Sequence, residues 1–443
     1  MKKILILGAG RSSSLLISYV LSKAHSNDWR VVVGDLSQEA ARQRIGSGDA
    51  SAVHFDIKDH PSSARIIAES DVVISLLPAD FHPLVARLCL SLKKHFLSAS
   101  YVSEEMKKLH QDALDNDLLF LNECGLDPGI DHMSAMQVID RIKNSGGELT
   151  SFESFTGGLI TPDTDPENPW RYKFTWNPRN VIMAGQGTAK FLKDGHFKYV
   201  PYHQLFNRTT PIEVSGSLYE GYPNRDSLKY RSIYGLQGIK TMIRGTLRNA
   251  GFCSAWNVLV QLGCCDDTYF LENVEKMTHG DFINCFLSGD FADSPEEGVC
   301  STLGISPNDG SIQRLRWSGL FLKEVVGLTH GTPAMVLEHI LNKRWKLVPG
   351  DKDLIVMWHR FGYSLNGSSR SLVSHLTVAG QDETQTGMAK TVGLPLGIAA
   401  KLLLQGKLSQ RGVVIPVHPE IYQPVMSELD SLGISFVESE RSS

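Results

Sequence analysis

The run Lys3-Ile4-Leu5-Ile6-Leu7-Gly8-Ala9-Gly10-Arg11-Ser12-Ser13 decides the fold. A short apolar strand ends in a glycine-rich turn, and residues 12–24 carry the apolar spacing of a helix. Gly8 permits the tight turn, and Gly10 lets backbone N–H groups approach a pyrophosphate at the positive end of that helix. The strand before and the helix after are the context that gives this pattern meaning. Ser13 departs from it, standing where the fingerprint has glycine or alanine. Gly8, Gly10, Arg11, Ser12 and Ser13 are the first candidate cofactor contacts.

Working outward, strand-like runs recur at residues 29–34, 52–55, 71–76, 94–98 and 118–122. Helical patterns fill the gaps at 37–46, 62–70, 83–92 and 103–116. Strand, helix and strand in repetition predict an α/β domain with a parallel sheet covered on both faces. Asp35 ends the second strand, 25 residues after Gly10. An acidic side chain there accepts from both ribose hydroxyls and repels a 2′-phosphate, which favours NAD over NADP. The guanidinium of Arg11 pulls the other way, since it would suit that phosphate. Asp56, after the third strand, is placed to border the adenine. Ser75, Leu76 and Pro78, after the fourth, are placed to line the nicotinamide side.

The chain has 443 residues, enough for about three domains. With 42% hydrophobic and 21% charged residues and mean hydropathy −0.12, it reads as globular, not disordered. The net charge of −4 lacks the basic excess of a nucleic-acid binder. Seven cysteines include no CxxC pair, and the histidines show no metal-ligand spacing, so no metal is implied and a reducing cytoplasm is the expected compartment. The N-terminal apolar run stops at Gly8, too short for a signal peptide. No uninterrupted apolar stretch approaches a membrane span, so a soluble protein without a membrane partner is expected.

After Gly129 the pattern changes. A helix is predicted over 131–144, strands near 149–155 and 212–215, an irregular ordered loop over 161–178, and helices through 251–347. Strands return at 352–361 and 371–379, followed by a helix at 393–405. Several segments here carry a resemblance. They include Ser98-Ala99-Ser100-Tyr101-Val102 and Glu123-Cys124-Gly125-Leu126-Asp127-Pro128-Gly129-Ile130-Asp131-His132. Further on come Gly157-Gly158-Leu159, Tyr172-Lys173-Phe174-Thr175-Trp176-Asn177-Pro178, Pro223-Asn224-Arg225-Asp226-Ser227 and Arg244-Gly245-Thr246-Leu247-Arg248. Near the end stand Arg411-Gly412-Val413-Val414-Ile415-Pro416 and His418-Pro419-Glu420-Ile421-Tyr422. Together they resemble the glutamate-forming saccharopine dehydrogenases, or saccharopine reductases, along nearly the whole chain. The N-terminal half is most similar to the dehydrogenase part of the bifunctional lysine-degrading enzyme of animals and plants.

The resemblance implies a Rossmann-type domain at 1–128 completed by about 386–443. It also implies a second α/β substrate domain at 129–250 and 348–385, and a helical insertion at 251–347. The implied reaction, in lysine metabolism, oxidises the secondary amine of saccharopine with NAD or NADP and hydrolyses the imine to glutamate and aminoadipate semialdehyde, or runs in reverse. A three-carboxylate substrate needs fixed cations, and arginine forks bind both oxygens of a carboxylate. Arg225, Arg244 and Lys173 are the cationic candidates, with Arg248 just beyond, and the resemblance favours Arg225 as the main clamp. Structural ion pairs are the competing explanation for Arg244 and Arg248. Asn177, Asn224 and Ser227 offer neutral hydrogen bonds.

Asp127-Pro128-Gly129 reads both as a helix start with free N–H groups and, by resemblance, as a loop beside substrate. Ser100, Tyr101, Asp127 and Gly129 are thus substrate-binding candidates. Proton transfers have three nearby ionisable candidates, Asp127, Tyr101 and His132, and the sequence does not choose among them. Thr156 stands where family members often carry cysteine, and Cys124 reads as a buried small side chain. Closure of the first two domains on the ligand is expected, and exposed faces of the second sheet or the helices would support a homodimer. Two rivals stay open: a carboxynorspermidine-type or other opine-like imine reductase, and a non-catalytic NAD-binding sensor or scaffold.

Overall fold

The computed structural model describes residues 1–442. The chain forms two compact units, Met1–Glu148 with Gly380–Val437, and Leu149–Ala379 with the segment from Glu438 onward.

In the first unit, β1 (Lys2–Leu7), β2 (Trp29–Asp35), β3 (Ser51–His54), β4 (Val72–Ser75), β5 (His95–Ser98) and β6 (Leu119–Leu121) join a short strand, Gly412–Val414, in one parallel sheet. Its order is Gly412–Val414, β6, β5, β4, β1, β2, β3. Ile4 to Leu7 and all of β4 are fully buried, as strands covered on both faces must be. Leu7 lies opposite Gly34 on one side and Ser75 on the other. The order therefore reverses between β1 and β4, where ligands of such sheets bind. This is the parallel α/β architecture expected from the alternating pattern.

Residues 103–116 form two short helices, Glu104–Lys107 and His110–Asp115, in place of the single helix expected. The helix Ile130–Asn144 belongs to this unit, whose first stretch runs on to Glu148. The Tyr422 hydroxyl donates to its Asp140 at 2.6 Å, tying it to the returning segment. A second departure concerns membranes: the helix Gly387–Leu404 is long and apolar enough to cross one, at mean hydropathy 1.3. Here 78% of it is buried inside the protein. A Cβ on Gly393 would sit 2.8 Å from the Leu16 backbone N, and one on Gly397 2.6 Å from the Tyr19 ring. Two glycines one turn apart let this helix press against Ser14–Asn27.

The second unit is a mixed sheet. Its path runs Thr210–Val214, Ser217–Pro223, Thr241–Asn249, Glu148–Ile160, Asp353–Leu365, Ser368–Ala379 and Val437–Ser442. The strands Ala189–Lys193 and His196–Val200 add a hairpin beside Thr241–Asn249. The helices of 251–347 share one core with the sheet: Phe252, Trp256 and Trp345 pack with Phe155, Tyr222 and Leu247. That shared core makes the expected insertion domain part of the second unit.

Candidate active site

At the end of β1, Gly8 has φ of +99°, and a Cβ there would meet the Leu76 carbonyl oxygen at 3.0 Å. Gly10 has open space where a side chain would stand. Asp35 fixes the turn between them: its Oδ2 accepts from the Ala9 N–H at 2.8 Å and its Oδ1 from the Ser37 N–H at 2.9 Å. Ser13 is buried and spends its hydroxyl on the Gly10 carbonyl at 2.8 Å. Arg11 is exposed and Ser12 half-buried at the helix entry. The open glycine and the N-terminal end of a helix fit the pyrophosphate of a dinucleotide. Asp56 closes a local turn, its Oδ1 accepting from the Lys58 N–H at 2.9 Å. Ser75 is fully buried, Leu76 half-buried and Pro78 exposed at the end of β4.

The segment after β5 carries the reactive candidates of this unit. The half-buried Tyr101 hydroxyl donates to Asp127 Oδ1 at 3.2 Å. Asp127 does not cap the following helix, because Gly129 occupies that position.

Gly129, in contrast, is not placed to donate to ligand. Its N–H bonds Asp131 Oδ1 at 2.6 Å, and the N–H groups of Ile130 and Asp131 bond the carbonyls of Gly125 and Leu126. The expected set of free donors at this helix start is consumed by its own loop. His132 is fully buried, with Nε2 2.9 Å from Glu123 Oε2 and Nδ1 3.6 Å from Asp131 Oδ2. Glu123 Oε1 also accepts from the Val102 N–H at 2.9 Å, so this buried pair braces the loop that presents Tyr101. Cys124 is buried, and burial pushes its thiol up to about 12.

Sequence reading missed His82. It is buried, with Nδ1 3.0 Å from Ser75 Oγ and Nε2 2.8 Å from Ser100 Oγ. Burial pushes this imidazole down to about 4, so it is neutral near pH 7. Its only sequence signal is a histidine followed by proline at a helix start, which has no specificity.

In the second unit, Thr241–Asn249 is a central strand. Arg244, Thr246 and Arg248 alternate along it and so share one face. The register sets Thr246 beside Thr156 on one neighbour and beside Tyr222 on the other. Arg244 is buried with its guanidinium 4.4 Å above the Tyr230 ring. Arg248 is 4% exposed, 5.1 Å from the rings of Tyr172 and Phe252, with Nη1 on the Leu247 carbonyl at 3.0 Å.

No carboxylate among the described residues pairs with Arg248. Glu220 lies directly across from it in register, yet turns both oxygens to the N–H groups of Gly251 and Cys253 at a helix start. Arg248 Nε and the Thr156 hydroxyl are buried without hydrogen-bond partners. Buried polar atoms of this kind call for a ligand or water.

The other candidates of this unit divide. Lys173 is buried between Asp351 at 2.7 Å and Asp165 at 3.1 Å, a structural ion pair that removes it from the carboxylate contacts expected. Ser227 is buried too, its hydroxyl accepting from the Arg244 N–H at 2.9 Å, which stitches the loop to the strand. Asn177 caps the helix Pro178–Met183. Asn224 Nδ2 reaches Thr246 Oγ1 at 3.3 Å, beside the arginine row. Arg225 is exposed, with φ of +51°, on the loop after Ser217–Pro223. Among the described residues, no cluster of His, Cys, Asp and Glu is arranged to hold a metal.

Comparison with known proteins agrees with both halves of this arrangement. The family model described as the saccharopine dehydrogenase NADP binding domain matches residues 4–121, and that of the saccharopine dehydrogenase C-terminal domain matches 125–434. The chain is 34% identical to the mitochondrial alpha-aminoadipic semialdehyde synthase of Rattus norvegicus, over 98% of this chain and 47% of that protein. It thus spans about half the length of the curated relatives of that kind. It is 31% identical to the saccharopine dehydrogenase (NADP(+), L-glutamate-forming) of Saccharomyces cerevisiae, with 98% of each covered. The solved apo structure of the L-Glu-forming saccharopine dehydrogenase from Saccharomyces cerevisiae superposes with a TM-score of 0.89 at 30% identity, covering 100% of both chains.

Proposed function

The chain belongs to the saccharopine dehydrogenase family, and from that premise we propose that it is an oxidoreductase of lysine metabolism. It interconverts saccharopine with L-glutamate and 2-aminoadipate 6-semialdehyde, using a nicotinamide dinucleotide. One observation carries the substrate class: a buried guanidinium, Arg248, on a strand face with Arg244 and Thr246, whose nearest in-register acid is turned away. A polycarboxylate supplies the missing counter-charge. A polyamine would meet two arginines there, which disfavours the imine reductases of diamines.

Gly8, Gly10 and the helix entry at Arg11 to Ser13 would hold the pyrophosphate, and Asp35 would meet the adenosine ribose. The fungal relative is named for NADP, whereas Asp35 in this chain supports NAD, because a carboxylate at that strand end repels a 2′-phosphate. When bound, the dinucleotide supplies the hydride acceptor in one direction and the donor in the other. The protein's own residues manage protons and position. Arg248, Arg244 and the exposed Arg225 take substrate carboxylates. Asp127 holds the proton that the secondary amine must lose before oxidation. Tyr101, hydrogen-bonded to it, returns one to nitrogen when the hydrated imine collapses.

The test is absorbance of reduced dinucleotide with saccharopine and each cofactor in turn. Saccharopine-dependent reduction, faster with NAD, is the expected result. Tight binding of reduced dinucleotide with no turnover of saccharopine or any other amino-acid adduct would favour a sensor instead.

A further inference from the structure

The C-terminal ends of β4 and β5 are joined by a histidine that no step above employs. His82 opens the helix His82–Ser91 and lies 4% exposed, edge-on to Phe96 at 6.1 Å between ring centroids. Its two nitrogens face opposite ways, Nδ1 to Ser75 Oγ at 3.0 Å and Nε2 to Ser100 Oγ at 2.8 Å. A second hydroxyl, Ser98 Oγ, lies 3.4 Å from Nε2 and already accepts from the Ser100 N–H at 3.0 Å.

A neutral imidazole has one donor and one acceptor, and the partners at its two nitrogens bear on which one carries the proton. Two hydroxyls converge on Nε2, and Ser98 already serves as an acceptor, so its proton is best spent on that nitrogen. A bare Nε2 accepts from Ser100 at 2.8 Å, the shorter of the two contacts, leaving the ring proton on Nδ1 to reach Ser75. Ser100 then has its own proton turned inward. It is the half-exposed member of the set, immediately before Tyr101.

We propose that His82 is a positioning residue that makes Ser100 a hydrogen-bond acceptor toward ligand, by holding its hydroxyl proton on Nε2. The chemistry that recognises such an oxygen is an N–H, that of a substrate amine or of a primary carboxamide. The proposal rests on the saccharopine and dinucleotide reading of this unit, and its test separates the two.

The first measurement is ring-nitrogen NMR of the 15N-labelled full-length protein, with His82 assigned by its disappearance in His82→Gln. A bare Nε2 and protonated Nδ1 are expected, and a protonated Nε2 overturns the proposal whatever the substrate proves to be. The second is a double-mutant cycle on kcat. His82→Leu and Ser100→Ala should each lower kcat about tenfold or more, and the double variant no further than the worse single one. His82→Gln, whose amide oxygen reaches the Nε2 position, should stay within about threefold of wild type. Losses that multiply, or a glutamine variant as slow as the leucine one at equal melting temperature, would overturn the positioning role. Absence of saccharopine turnover in the wild type would instead remove the functional reading, and the tautomer would still decide the role of His82.

Discussion

Replacing Arg248 by methionine should make the protein more stable and less able to use its substrate. The guanidinium is 4% exposed, and the structure gives it two ring faces at 5.1 Å and one carbonyl in place of a carboxylate. Exchanging a buried charge for an apolar side chain of similar volume is commonly neutral or stabilising by about 1–4 kcal/mol. The two cation–π contacts return about 0.5–2 kcal/mol of that. Set against each other, these ranges leave a net gain centred near about 1 kcal/mol, and a unit of this size then melts a few degrees higher. On the functional side, removing one partner of a buried charge pair costs about 3–5 kcal/mol, or roughly 10²–10⁴ in kcat/KM for saccharopine. Thermal unfolding monitored by calorimetry and saturation kinetics on the same preparation read both arms. A variant that melts several degrees lower while KM for saccharopine stays unchanged would show that Arg248 is a structural cation and refute the reasoning.

Four further outcomes are expected. Arg225→Ala should raise KM for saccharopine at least about tenfold; near-normal affinity removes the clamp. Tyr101→Phe should lower kcat about tenfold with little change in KM, because it deletes a proton carrier and keeps the ring. Asp35→Ala should raise the NADP-to-NAD ratio of kcat/KM by about tenfold or more, and a wild type that already prefers NADP would shift attention to Arg11. Acid should unmask His82. Its pKa falls from 6.5 to about 4 on burial, so the unfolded chain binds the extra proton and stability contributed above pH 6.5 is lost as pH falls through that window. At pH 4.5 the loss is on the order of 2–3 kcal/mol relative to neutral pH; urea titrations of wild type and His82→Gln should show it, and parallel pH profiles would contradict it.

The parts of the fold legible in the sequence are those set by local chemistry. Gly8, Gly10 and Asp35 lie within one strand–turn–helix–strand unit, so spacing alone located them. The arginine row did not show its true character. Arg244 and Arg248 were visible as a motif, but their place on a central strand depends on partners at 148–160 and 217–223. Lys173 looked like a substrate cation because its counter-ion, Asp351, is 178 residues away. Gly129 misled for a related reason: an N-terminal turn is informative only once its hydrogen-bond partners are known. His82 carried no signal, since only the ends of β4 and β5 bring Ser75 and Ser100 to it. The 251–347 helices were recognised as helices, while the core they share with the sheet was not.

The most direct check of the enzymatic claim is to quantify free glutamate against reduced dinucleotide as the wild-type protein consumes saccharopine. Equal molar amounts of the two, rising together, are predicted. Reduced dinucleotide without glutamate, or glutamate without reduction, would mean that the carbon–nitrogen bond is not broken by the oxidation described here.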